Sequence, residues 1–130
     1  MNNEKLETIM NEHKDLTTHG HGLDYYSEDK FIKERAALHD KGIEFETCCD
    51  YLKLLKRRKS STKQLGSSYR LKHLVEKWFR DTTGKSIYIP EGAFIAAAYY
   101  LGFTCERIPG RTSVYLNISL HTKINGEWIH

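Results

Sequence analysis

The strongest constraint on the fold is the apolar segment at residues 93–101, which contains no charged side chain. Pro90 precedes it at a position that suits the start of a helix, and Gly102, a common helix terminator, follows it. Phe103 is then placed for the hydrophobic contact of a Schellman-type end. A helix over residues 91–101 would be apolar on nearly every side, and helices of that composition are buried. We therefore expect this helix to form the buried centre of the domain.

Three more helices are predicted around this centre. The first follows Ser27 and extends to Lys41, because Ser27 is a good N-cap and Gly42 suits the C-terminal stop. The second covers residues 44–59 and the third covers residues 69–80, since both have apolar residues at helical spacing. In the second helix the apolar stripe comprises Phe45, Cys48, Cys49 and Leu52.

The N-terminal part is less regular. Residues 1–26 are predicted to be an acidic, partly helical segment, followed by one globular domain over residues 27–130. A sparse apolar stripe predicts a weak helix in residues 1–16, and the polar residues 17–22 predict a loop. The whole chain has 130 residues, which is near the commonest size for one domain.

Strand signals concentrate in the C-terminal part. Residues 104–108 and 114–119 are predicted to be two strands joined by a turn, and the Asn-Gly pair at residues 125–126 predicts a second hairpin. Residues 87–89 are a candidate for a brief strand. The sequence thus predicts an α+β fold: three to five helices around a buried helix of the C-terminal half, with a C-terminal antiparallel β-hairpin or small sheet. A winged-helix-like arrangement is one version of it.

The composition favours a cytoplasmic protein without a membrane partner. No apolar run approaches the roughly 20 residues that cross a bilayer, and the N-terminus lacks the basic and apolar regions of a signal peptide. The 3 cysteines are an odd count, and Cys48 and Cys49 are adjacent. This pattern suits reduced thiols better than a disulfide framework.

Charge is segregated along the chain. Residues 1–52 contain 6 Lys or Arg against 12 Asp or Glu, residues 53–80 contain 10 against 1, and residues 81–130 contain 4 of each. A nucleic-acid backbone matches so dense a positive field by releasing its condensed counterions. Three alternatives stay open: a solvated basic face, internal pairing with the acidic first third, and an acidic protein surface as partner.

We expect the chain to bind nucleic acid, foremost double-stranded DNA, without catalysis. The basic end of the helix over residues 44–59 would hold phosphates, and the helix over residues 69–80 would add phosphate or base contacts. The candidate nucleic-acid-binding residues are Lys53, Lys56, Arg57, Arg58, Lys59, Lys63, Arg70, Lys72, His73, Lys77 and Arg111. A binder of symmetric operators is expected to be a homodimer.

Two DNA-binding arrangements are compatible with the predicted helices. The turn around Gly42 resembles a helix-turn-helix motif, although the sequence shows no second turn and separate recognition helix, so a simple αα-hairpin fits equally well. In a winged-helix-like alternative, residues 69–80 are the recognition helix, and Arg107 and Arg111 on the hairpin flank the nucleic acid. Tyr115, on the polar face of that hairpin, is the aromatic residue best placed to stack a base.

Metal, cofactor and catalytic motifs are not expected. The His-x-His at residues 19–21 and the vicinal cysteines at residues 48–49 lack the paired spacing of zinc sites, so we interpret them as loop and core residues. The sequence has no Gly-rich phosphate loop, nucleophile elbow or paired-carboxylate motif. His73 and Glu76 stand at helical spacing, which is common by chance. We therefore predict a non-enzymatic protein.

The C-terminal half contains four stretches of note: SYRLKH at residues 68–73, YIPEGAFIAAA at 88–98, LGF at 101–103 and LNIS at 116–119. With these it resembles small accessory proteins carried on plasmids, phages and integrative elements of Gram-negative bacteria. The resemblance transfers no site residues. It implies either a regulator of the mobile genetic element or an inhibitor of host defence, such as an anti-CRISPR protein. A protein–protein inhibitor or adaptor of a nucleic-acid-handling complex is therefore the alternative function, and an acidic face that imitates DNA would suit it.

Overall fold

The computed structural model describes residues 3–22, 27–57, 59, 63–119, 123–124 and 127–128. Its helices are α1 (Glu4–Glu12), α2 (Glu28–His39), α3 (Gly42–Leu52), α4 (Ser68–Thr83) and α5 (Glu91–Tyr100), with a 3₁₀ turn at Lys63–Leu65. The strands form antiparallel pairs: β1 (Leu16–Thr17) with β2 (Gly20–His21), β3 (Cys105–Arg107) with β4 (Val114–Leu116), and β5 (Lys123–Ile124) with β6 (Glu127–Trp128). The predicted α+β class and C-terminal hairpin are confirmed.

Helix α5 lies at the centre of the core, as its composition predicts. Residues 91–98 are all buried, and the helix packs against α1, α3, α4 and the first three strands. Its C-terminal end is the predicted Schellman motif. Gly102 has a φ of 84° and donates its N–H to the carbonyl of Tyr99, while buried Phe103 donates its N–H to the carbonyl of Ala98.

Helix α2 begins as predicted but ends earlier. The Ser27 hydroxyl accepts a hydrogen bond from the Lys30 N–H and caps the helix. The helix ends at His39, with Asp40 as C-cap. The prediction of Gly42 as the stop is wrong, because Gly42 is already the first residue of α3. The two helices are thus joined by a very short connection.

The predicted helix over residues 44–59 is wrong in its second half, because α3 ends at Leu52. A final turn buries Leu55, and the chain then runs extended, with Arg57 forming an antiparallel β-bridge to Ile118. Cations three and four residues apart would repel one another within a helix. Pairing with the chain beyond β4 avoids that repulsion and still satisfies backbone hydrogen bonds.

The N-terminal segment shares the core with the rest of the chain. Helix α1 buries Leu6, Ile9 and Met10 and packs against α5. The predicted boundary after residue 26 therefore separates segments that pack on the same central helix.

The prediction of a loop over residues 17–22 is wrong, because β1 and β2 pair there as a tight hairpin. This hairpin lies directly on α5 at Gly92. The Gly92 N–H donates to the Thr18 carbonyl at 3.0 Å, and a Cβ on Gly92 would lie 1.8 Å from the Thr17 carbonyl oxygen. Only glycine permits this approach.

The candidate strand at residues 87–89 is also wrong. The buried Ile89 donates its N–H to the Glu76 carboxylate at 2.9 Å, so a side chain replaces the expected strand partner. The β3–β4 hairpin does form, with Cys105 opposite Leu116. No helix within the described ranges is long and apolar enough to cross a membrane.

Candidate nucleic-acid interface

Predicted cations lie where described residues between α3 and α4 contact the β3–β4 hairpin and the residues that follow it. The contacts are Arg57 with Ile118, Lys63 with Tyr115, and Ser68 with Val114. We call the described exposed cations between residues 56 and 70, together with Arg111 of the β3–β4 turn, the hairpin basic surface, which comprises Lys56, Arg57, Lys59, Lys63, Arg70 and Arg111.

Two of these cations are held in place by local contacts. The Arg57 guanidinium lies 5.4 Å from the ring centre of Phe103 and donates to the Gly102 carbonyl at 3.3 Å. The Lys63 ammonium lies 3.9 Å from the Glu106 carboxylate and 5.9 Å from the ring centre of Tyr115. The surface ion pair of Lys63 is weak, and the contacts of Arg57 with a carbonyl and a ring leave its charge in place, so both cations can still attract a phosphate.

The other predicted cations divide by position. Lys53 is exposed and is the C-cap of α3. Arg70 is exposed on the first turn of α4, and Arg111 is exposed in the β3–β4 turn. Arg58 lies outside the described residues.

His73 and Lys77 extend the basic residues along α4, but both have acidic partners. His73 Nδ1 lies 2.7 Å from Glu76 Oε1, and Lys77 Nζ lies 3.0 Å from Asp81 Oδ2. Burial would raise the pKa of Glu76, but the hydrogen bonds from the Ile89 N–H and from His73 outweigh it, so the pKa lies below its ordinary value. This part of α4 therefore presents a weaker positive field than the hairpin basic surface.

Lys72 does not lie on the exposed side of α4, and the expectation that it does is wrong. It is 2% exposed because it shares a helix face with buried Val75. Its ammonium lies 3.6 Å from Glu76 Oε2, 4.6 Å from the ring centre of Tyr88 and 5.5 Å from that of Tyr69. Lys72 is thus separate from the cations that a duplex on the surface would meet.

A cavity of about 220 Å³ opens beside Lys72, where the N-termini of α4 and α5 meet the β1–β2 and β3–β4 turns. Tyr69 and Tyr88 are 59% and 69% exposed and form its mouth, whereas Lys72 and Glu91 are buried in its wall. The lining residues are Thr18, His19, Tyr69, Lys72, Tyr88, Glu91 and Thr112. We call this cavity the Tyr69–Tyr88 pocket. It lies at the turn end of the hairpin basic surface, since Thr112 directly follows Arg111.

Buried hydrogen bonds fix the carboxylate of the pocket. The Ser68 hydroxyl donates to Glu91 Oε2 at 2.6 Å and accepts from the Val114 N–H at 3.0 Å. Glu91 also stands in the first turn of α5, where the helix N-terminus stabilises a negative charge. The pocket wall therefore combines a carboxylate with the Lys72 ammonium.

Three acidic residues of the first third form ion pairs with basic residues of the same third. Glu46 pairs with Lys5, Glu34 with His19, and Glu7 with His39. Asp15 pairs with Arg107 at 3.0 Å. Arg107, which the winged-helix-like alternative places beside nucleic acid, is thus held by a carboxylate.

A second polar cluster, the Asp15–His21–Tyr99 cluster, joins the β1–β2 hairpin to the C-terminal end of α5. His21 is 1% exposed, and its nitrogens lie 2.9 Å from Asp15 Oδ1 and 2.8 Å from the Tyr99 hydroxyl. Burial lowers the pKa of His21, although the neighbouring Asp15 carboxylate favours the protonated ring. Burial also raises the pKa of Tyr99 to about 12. A neutral His21 therefore donates from Nδ1 to Asp15 and accepts at Nε2 from Tyr99. His13 stacks on the Tyr99 ring.

Cys48 and Cys49 are buried core residues, as expected, and Cys105 is partly buried. Burial raises the pKa of Cys48 well above its ordinary value, and it raises those of Cys49 and Cys105 to about 12. These thiols are poor nucleophiles, because the thiolate is the reactive form. Within the described part of the chain, no group of three or more His, Cys, Asp or Glu side chains is arranged to hold a metal ion.

Helix α3, the second helix of the helix-turn-helix interpretation, has few side chains to offer a DNA groove. Its buried residues are Phe45, Thr47, Cys48, Cys49, Tyr51 and Leu52. Its exposed Ile43 and Asp50 are not basic. The exposed side of α4 carries Arg70, His73 and Lys77 and is the better candidate for contact with nucleic acid.

Sequence reasoning missed the pocket, although two signals pointed to it. Ser68, Lys72 and Val75 are spaced as one face of a helix, so a lysine stands where an apolar residue is expected. Glu91 is the one charged residue in the apolar helix α5. Tyr88 gives no such signal, because its contact with Lys72 depends on tertiary packing.

Comparison of the chain with protein-family profiles, with curated proteins and with solved structures finds no match. The functional argument therefore rests on the site itself.

Proposed function

We propose that the protein binds nucleic acid through the hairpin basic surface, as a non-enzymatic accessory or regulatory protein of a mobile genetic element. The observation that carries this proposal is the position of the described cations after α3. Arg57 and Lys63 contact the β3–β4 hairpin or the residues that follow it, and they are exposed there instead of lying at the end of a helix. Duplex DNA is the first ligand to test.

The chemistry of this surface suits a phosphate backbone. Exposed lysine and arginine side chains replace condensed counterions without reading sequence. Lys63 also lies 5.9 Å from the ring centre of Tyr115, an aromatic ring that can contact a sugar or a base.

The test compares two triple variants with the same change in net charge. The first, Lys59→Gln/Lys63→Gln/Arg70→Gln, removes exposed charge from the hairpin basic surface. The matched control, Lys14→Gln/Lys33→Gln/Lys85→Gln, removes exposed charge elsewhere. Fluorescence anisotropy with a labelled duplex, at about 50 to 300 mM salt, gives the affinity and its salt dependence.

We expect wild-type binding with a steep negative slope of log affinity against log salt. The surface variant should have a slope shallower by about 2 to 3 units, at about 0.9 per lost phosphate contact, and the control should match the wild type. Equal losses in both variants would mean attraction by net charge alone. No binding at low salt would overturn the proposal.

A protein partner is the second candidate, favoured by exposed apolar residues within the acidic first third. Ile32 and Ile43 are 58% and 77% exposed, and exposed carboxylates such as Asp40 and Asp50 lie nearby in sequence. An inhibitor or adaptor that uses this side would lose its effect on a nucleic-acid-handling complex in Ile43→Asp. It would keep that effect in the surface triple variant and at raised salt.

A further inference from the structure

Lys72 is a buried cation whose side chain lines the Tyr69–Tyr88 pocket. A lysine ammonium has three donors. Among the described residues, its polar partner is Glu76 Oε2 at 3.6 Å, and its other neighbours are two aromatic rings. The side chain is 3% exposed and lines the Tyr69–Tyr88 pocket. A molecule that enters the pocket can therefore supply further hydrogen-bond acceptors to this ammonium.

The pocket wall is not suited to a phosphate. Glu91 lines the same cavity and the Lys72 ammonium is already paired with Glu76 at 3.6 Å, so an anion would face a carboxylate and a largely neutralised cation. One oxygen of Glu91 accepts from Ser68, which leaves the second for a ligand donor. Thr18 and Thr112 add hydroxyls that can donate or accept. This wall fits a neutral group that carries both acceptors and donors.

The mouth of the pocket favours a small planar group. Tyr69 and Tyr88 are exposed, and both rings lie within 5.5 Å of the ammonium. Every nucleobase has a π-face that stacks on such rings. A cavity of about 220 Å³ is smaller than the roughly 300 to 1,000 Å³ that holds a drug-sized ligand, so it admits a group about the size of one base.

We propose that the Tyr69–Tyr88 pocket binds one unpaired nucleobase, with its polar edge on Lys72 and Glu91 and its face on the tyrosine rings. The proposal rests on the proposed function, because phosphates on the hairpin basic surface would deliver the base at the turn end of that surface. A paired base hides its polar edge and both faces. The protein therefore prefers a single strand, or a duplex with an extruded base, over an uninterrupted duplex.

The test uses labelled single strands of about 12 nucleotides and the corresponding duplex, with DNA and RNA in separate arms. Tyr88→Ala removes an exposed ring of the pocket. Tyr100→Ala, at the end of α5, is the control for the loss of a partly exposed tyrosine. Tyr88→Ala should weaken single-strand binding about 10-fold, as loss of one stacking partner does, and should leave duplex affinity unchanged. Tyr100→Ala should change neither.

A second measurement reports on the base itself. In a strand with a single 2-aminopurine among thymidines, the 2-aminopurine fluorescence should fall on binding, because stacking quenches it. This quenching should disappear in Tyr69→Ala/Tyr88→Ala and weaken in Lys72→Met. Thermal melts of each variant show whether the fold is kept.

The outcomes separate this proposal from the function on which it rests. Salt-dependent binding with equal affinity for strand and duplex, and no effect of Tyr88→Ala, would overturn the pocket and leave the hairpin basic surface intact. An absence of binding to any of the nucleic acids would overturn both. A single-strand preference that Tyr88→Ala abolishes, in either the DNA or the RNA arm, would support the pocket and identify its source.

Discussion

Two polar clusters are buried at the two ends of α5, about 12 Å apart along the helix, and they differ in how completely they are satisfied. At the C-terminal end, both nitrogens of His21 are hydrogen-bonded, and Arg107 pairs with the outer oxygen of Asp15. At the N-terminal end, the Lys72 ammonium has one carboxylate at 3.6 Å and two aromatic faces.

The difference distinguishes a structural cluster from the proposed binding site. A buried polar group costs free energy unless it is hydrogen-bonded, so an ammonium with few acceptors beside a cavity suits a ligand that brings more of them. The Asp15–His21–Tyr99 cluster ties the β1–β2 hairpin to α5 and needs nothing further. In the Tyr69–Tyr88 pocket, the Lys72 ammonium and the Glu91 carboxylate can each take a further hydrogen-bond partner.

The largest effect should come from Gly92→Ala, which disturbs both clusters together. The new methyl group would lie 1.8 Å from the Thr17 carbonyl oxygen, so the β1–β2 hairpin would have to leave α5. We expect the free energy of unfolding to fall by more than about 3 kcal/mol. Chemical denaturation measures this loss, and Gly42→Ala at the start of α3 is the milder control. A wild-type melting curve for Gly92→Ala would contradict the described contact.

His21→Ala should break the satisfied cluster alone. It removes a buried ring and leaves the Tyr99 hydroxyl without its acceptor, so we expect a loss of about 2 kcal/mol in the free energy of unfolding. The control is His19→Ala, because the exposed His19 pairs only at the surface with Glu34. If both variants lost the same stability, the cluster would not have the structural role assigned to it.

Stability should also depend on pH through His21. Burial lowers the pKa of His21 in the folded state; Asp15 opposes this shift, and the charges of Arg107 and His13 add to it. The unfolded chain therefore binds the proton more readily. The free energy of unfolding should therefore fall as the pH drops below about 6.5, the ordinary value for histidine. Urea titrations from about pH 8 to pH 5 measure this decline. It should be shallower in His21→Gln, and an equal slope in both proteins would show that other groups cause it.

The smallest effect on stability should come from Lys72→Met. The substitution removes a poorly satisfied buried charge and keeps the apolar stem, so we expect a change within about 1 kcal/mol, or a slight gain. Glu76 keeps its hydrogen bonds from Ile89 and His73. Calorimetry would detect the change. A loss as large as that of His21→Ala would mean that the ammonium is part of the structural framework, and would remove the contrast between the clusters.

The amino-acid sequence by itself determined the elements whose signals are local. Ser27 caps α2 as predicted, Gly102 and Phe103 close α5, and the composition of α5 places it in the core. The β3–β4 hairpin follows from turn residues between two β-prone runs. These features depend on residues within a few positions of one another, where backbone geometry and helix capping act directly.

Tertiary structure alone decided where the basic residues lie. Local patterning predicts one helix through residue 59, but α3 ends at Leu52 and Arg57 pairs with Ile118. Likewise, the burial of Lys72 and its contact with Tyr88 require α4, α5 and two turns to meet. The free energy of such long-range contacts depends on segments far apart in the chain, which no local pattern records. The hairpin basic surface and the pocket at its end are therefore properties of the folded molecule.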